Sequence, residues 1–161
     1  LYAACEGHKT IVELLLETDN IDTDTKDIEG ETPLLQAADE GHEAIVELLL
    51  GTCKVDVNAE NTRGWTPLLL AVELGSEKVV KLLLAAGKIE VNAKNKNGTT
   101  PLLLAIDRGN EKMVELLLET GQIVIEADER DGWTPLLLAA DSGHEAIVKL
   151  LQAHLPPLSG C

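Results

Sequence analysis

The chain has 161 residues, 45% of them apolar, a formal charge of −15, and only two Trp, one Tyr and no Phe. That length suffices for a buried core, and the apolar share is too high for a disordered chain. A strongly acidic chain without a basic stripe or stacking aromatics is not built for nucleic acid, and no apolar run reaches the roughly 18 residues of a membrane span.

With no Phe, the core must be filled by Leu, Ile, Val and Ala, which suits thin helical layers. The opening residues Leu1 to His8 show neither a basic stretch nor an apolar one, so no signal peptide is read there. Cys5, Cys53 and Cys161 are an odd number without metal-ligand spacing. They read as free thiols in a reducing compartment, which implies an intracellular and most simply a cytoplasmic location.

In chain order, the sequence resolves into repeats. Residues 1–26 form an incomplete first unit that starts mid-helix at Leu1 and carries Gly7. Full units follow at 27–60, 61–94, 95–128 and 129–155, with a tail over 156–161. The pattern Gly-x-Thr-Pro-Leu opens each full unit at 30–34, 64–68, 98–102 and 132–136, an interval of 34 residues. Eleven residues after each opening glycine stands another, at Gly41, Gly75, Gly109 and Gly143. Self-similarity of this kind marks stacked supersecondary units.

Each unit reads as turn, helix, turn, helix. Thr32, Thr66, Thr100 and Thr134 are placed to cap a helix, with proline at the first helical position. The short helix, for example Pro67 to Leu74, ends at the second glycine. A longer helix follows, with apolar residues at Ile45, Val46, Leu48 and Leu49 in one unit and Val79, Val80, Leu82 and Leu83 in the next. That stripe is wide enough to pack on neighbours before and behind. With each apolar face buried by an adjacent repeat, the array is expected to be monomeric.

The Thr-Pro-Leu signature, the small pairs Ala37-Ala38, Ala71-Val72 and Ala139-Ala140, the Gly-His pairs at 41–42 and 143–144, and Val-Asn-Ala at 57–59 and 91–93 resemble the ankyrin repeat. The combination is similar to arrays of large fungal multidomain ankyrin proteins. The resemblance implies an all-α solenoid of about five helix-turn-helix repeats joined by short β-hairpin or turn connections, as one domain over 1–161. It departs from the family in two places. The period is one residue longer, with the surplus in loops such as Gly87 to Val91, and Leu35, Leu69, Leu103 and Leu137 stand where the family carries His, replacing a polar contact by apolar packing.

The resemblance also implies a non-catalytic module, expected to be part of a larger protein, that binds a protein on its concave face through hairpin tips and exposed first-helix positions. Carried over by position, the tips are Ile28, Glu29 and Glu31; Thr62, Arg63 and Trp65; Lys96, Asn97 and Thr99; and Arg130, Asp131 and Trp133. The first-helix positions are Cys5 and Glu6, Asp39 and Glu40, Glu73 and Leu74, Asp107 and Arg108, and Asp141 and Ser142. Trp65 and Trp133 are hot-spot candidates, since an exposed Trp buries a large rigid area; packing on their own hairpins is the other reading. Residues 1–60 carry 15 acids and three bases, whereas 61–94 carry three acids and five bases; the two readings are a basic protein partner for the first half and acidity that simply keeps a Leu-rich array soluble. The alternatives are a free-standing regulator that covers an enzyme's surface and an engineered scaffold.

No catalytic, cofactor or metal site is expected. His42-Glu43 and His144-Glu145 lack the second His of a zinc helix, and His8, His42 and His144 fall between paired helices as structural residues. Asp22 and Asp24 do not complete a calcium loop. Asn58 and Asn92 read as turn-stabilising residues; the other reading, which the resemblance implies, is a substrate of an oxygen-dependent asparagine hydroxylase.

Overall fold

The structure, a computed structural model, describes residues 1–18, 21–125 and 134–154. Among these residues there are ten helices and no strand. They pair as α1 (Tyr2–Cys5) and α2 (Lys9–Leu16), α3 (Pro33–Asp39) and α4 (Glu43–Gly51), and α5 (Pro67–Leu74) and α6 (Glu77–Ala85). The last two pairs are α7 (Pro101–Asp107) with α8 (Glu111–Leu118), and α9 (Pro135–Asp141) with α10 (Glu145–His154).

The local causes are those the sequence predicts. Thr32, Thr66, Thr100 and Thr134 each accept a bond from the amide of the third residue onward, at 3.2, 3.3, 3.3 and 3.1 Å. Proline follows each cap at the start of the helix. The glycine after each first helix is left-handed, and at three of them, Gly7, Gly41 and Gly109, a neighbouring side chain also crowds the space of a β-carbon, Leu74 doing so at Gly41. A β-carbon on Gly7 or Gly109 would stand 2.8 or 2.7 Å from the ring of His42 or His144. His42 also bonds the Cys5 carbonyl at 2.8 Å. These two histidines are inter-repeat wedges.

First helices pack in one layer (α1, α3, α5, α7, α9) and second helices in another (α2, α4, α6, α8, α10), each helix touching its counterparts before and after. The core runs between the layers through Leu34, Ile45, Leu68, Val80, Leu102, Leu117 and Ile147, all buried. Leu35 and Leu69 are fully buried, as the apolar-packing reading requires. Leu103 is half-buried and Leu137 is exposed.

The expectation that every apolar helix face is covered fails at the first repeat. Tyr2, Ile11, Leu14 and Leu15 are exposed, because no described residues lie on the outer side of α1 and α2.

Candidate functional site

The connections between repeats are turns, and an acid or amide shapes each of those described. Asp27 Oδ1 accepts from the amides of Glu29 and Glu31, both at 2.9 Å. Asn61 Oδ1 does the same for Arg63 and Trp65 at 2.9 and 3.0 Å, and Asn95 Oδ1 for Asn97 and Thr99 at 2.9 and 3.0 Å. Successive tips are then tied by backbone bonds from the Thr62 amide to the Glu29 carbonyl at 2.8 Å and from the Lys96 amide to the Arg63 carbonyl at 3.1 Å. The tip backbone is thus fixed without using the outward side chains. Such a framework lets side chains vary at little cost to the fold.

On it, Glu29, Thr62, Arg63, Lys96 and Asn97 are exposed, while Glu31, Trp65 and Thr99 are half-buried. Trp65 packs against the core cluster. Trp133, Arg130 and Asp131 lie outside the described residues. Of the first-helix positions, Glu6, Asp39, Glu40, Leu74, Asp107, Arg108, Asp141 and Ser142 are exposed, and Cys5 and Glu73 are half-buried.

The electrostatics divide this face. Burial, followed by the carboxylates of Glu40, Glu6 and Asp39, pushes the Cys5 thiol up, so acids from two adjacent first helices act on one point. Burial likewise pushes the Glu31 carboxyl above its ordinary range, against the bond it accepts from Asn61 Nδ2 at 2.7 Å. Asp39 also acts on Glu31, linking the acidic tip to the acidic helix end. Further along, Arg108 pairs with Glu73 across two repeats and ends the acidic stretch. Among the described residues no ion pair engages Glu6, Glu29, Asp39 or Glu40.

Two apolar side chains stand in this polar setting. Leu74 is 51% exposed beside Gly41, and Ile28 is 97% exposed at its tip. Sequence reasoning placed Ile28 in a tip without singling it out. Its signal was present: the same position holds Thr62, Lys96 and Arg130 in the other repeats.

Asn58 and Asn92 do more than stabilise their own turns. Asn58 Nδ2 donates to the Lys88 carbonyl and its Oδ1 accepts from the Glu90 amide, both at 2.8 Å. Asn92 does the same to the Gln122 carbonyl and the Val124 amide at 2.8 and 3.0 Å. They clasp the loop of the next repeat. Asp24 takes that place in the first unit, accepting from the Asp56 amide at 3.0 Å. The described residues contain no group of His, Cys, Asp and Glu able to hold a metal ion, and no helix long and apolar enough to cross a membrane.

Two layers of paired helices with a constant framework and variable tips define a repeat solenoid. The family model for ankyrin repeats (3 copies) matches residues 1–95 and again 86–156. The chain belongs to the ankyrin-repeat family, whose members are generally protein–protein interaction modules and typically non-catalytic. Among curated proteins, none matches the chain.

Proposed function

We propose that this array is a docking module that holds a basic protein segment on its hairpin tips and first-helix ends, with its acidic first half as the principal contact. The supporting observation is the set of carboxylates Glu6, Glu29, Asp39 and Glu40, in no ion pair among the described residues, together with the exposed Ile28 and Leu74. Carboxylates of this kind steer encounter with a cationic partner, and apolar anchors hold it once docked. Arg63, Asp107 and Arg108 give the second half a mixed charge suited to selecting among basic partners. Trp65 contributes the exposed part of its ring.

Peptides selected from a random library on the intact chain test this reading. The expected ligands are rich in Lys or Arg and lose about tenfold in affinity or more on the variant Glu29→Lys/Asp39→Lys/Glu40→Lys. The variant Glu47→Lys/Glu111→Lys, on second helices, should bind them normally. Selected peptides without basic residues, or equal binding by both variants, would overturn the proposal.

A further inference from the structure

Two polar atoms in the layer of first helices are buried and, among the described residues, accept no hydrogen bond: Oε1 of Gln36 in α3 and Oε2 of Glu73 in α5. These helices pack side by side. Gln36, Asp39 and Glu40 share one face of α3 at i, i+3 and i+4, and Leu70, Glu73 and Leu74 hold the same register on α5. Both atoms therefore belong to the junction of the second and third repeats, on the face that carries the exposed carboxylates of Asp39 and Glu40.

The fold needs neither atom. In the three units that follow, the place of Gln36 is taken by Leu70, Leu104 and Leu138, the first two of them buried. A glutamine there gives up apolar packing and desolvates an acceptor, which is destabilising where leucine fits. Glu73 gives its other oxygen, Oε1, to Arg108 of the next repeat, so only half of the carboxylate is satisfied. Buried acceptors are ordinarily met by a donor, and no side chain of the described residues supplies one to these two.

We propose that Gln36 and Glu73 form a subsite for one arginine side chain of the bound partner. This rests on the reading of the tips and first-helix ends as a dock for a basic segment, and it names the residue that the junction selects. A guanidinium carries five donors in a planar fork and is weakly hydrated, so one group can serve acceptors offered by two helices and leave water at modest cost. A lysine ammonium is a compact, strongly hydrated charge and matches such a pair less well. A neutral donor would leave the carboxylate charge uncompensated. Asp39 and Glu40, in no ion pair among the described residues, attract the cation to the junction. Gln36 is thus the specificity-determining residue, since the equivalent leucines of the later repeats have no acceptor to offer.

The probes are hexa-arginine and hexalysine, equal in charge, titrated into the intact chain. The parent should bind hexa-arginine about tenfold more tightly than hexalysine. Gln36→Leu should bring hexa-arginine down to the hexalysine level and leave hexalysine within about twofold. The variant should melt no lower than the parent, because leucine already fills that place in three repeats. Glu29→Lys/Asp39→Lys/Glu40→Lys should weaken both peptides alike, which reads the docking surface apart from the subsite. Equal binding of the two peptides by the parent would overturn the subsite and leave the docking surface standing. So would an arginine preference that survives Gln36→Leu, or a higher melting temperature with that preference unchanged, which would make Gln36 a packing defect only. Binding of neither peptide would overturn the docking surface and the subsite together.

Discussion

Helices α2 and α4 carry the same six residues, yet Ile45 and Leu49 are core in α4 while their counterparts Ile11 and Leu15 are surface in α2, and only the valine is buried in both. In α4 the hexapeptide is enclosed by α2 on one side and α6 on the other. In α2 it meets α4 on one side only. The periodic stripe specifies which face of a helix seeks company, and the neighbour decides whether it finds any. Stability in such an array belongs to interfaces more than to helices. A repeat packed on one side contributes one interface where a repeat packed on both sides contributes two.

The largest difference should appear on truncating the paired leucines. Leu49→Ala should cost about 3 kcal/mol, because it opens a cavity between two repeats, and Leu15→Ala less than about 1 kcal/mol, because its side chain is already half in water. Urea titrations of both variants check this. Equal losses would mean that the outer face of α2 is covered in solution.

The clasps sharpen the same contrast. Asn58→Ala and Asn92→Ala each remove an amide that makes both of its bonds to the next repeat, so each should cost about 2 kcal/mol. Asp24→Ala, where a single amide is lost, should cost about 1 kcal/mol. Chemical denaturation ranks the three. Asp24→Ala as costly as the two asparagine variants would contradict the count of amides as what sets the strength of a clasp.

A smaller effect concerns Glu31, at the junction of the second and third repeats. Its carboxyl is raised by burial, so the folded state favours the protonated form. The stability this contributes is complete below the ordinary carboxylate range and is lost as pH rises through the raised value. Glu31→Gln keeps the oxygen that accepts from Asn61 and has no charge to lose. The variant should melt slightly higher than the parent at neutral pH, and the two should converge in acid. A lower melting temperature at neutral pH would show that the charge itself is stabilising.

What was readable in the sequence follows the reach of each interaction. The threonine caps, the prolines behind them and the left-handed glycines act within a few residues, so a single repeat reveals them. The burial of Leu35 and Leu69 was also legible, since a repeated apolar position in a stack implies a covered one. Leu137, the same residue type in the same register, is exposed, and only its surroundings distinguish it. Asn58 and Asn92 were read as local because their partners lie about 30 residues on, in a loop that no motif announces. On the tip face, the acidic stretch was countable in advance. The pairing of Arg108 with Glu73, which ends that stretch, needed two repeats placed side by side.

The most direct measurement is residue-resolved amide exchange across the two hexapeptides in one sample. The account predicts that Val12 to Leu16 exchanges well before Val46 to Leu50, and that the slowest amides lie in α4, α6 and α8, where both sides are packed. Equal protection of the two identical segments would contradict it, since the sequence they share would then be setting their stability and the neighbouring repeat would not.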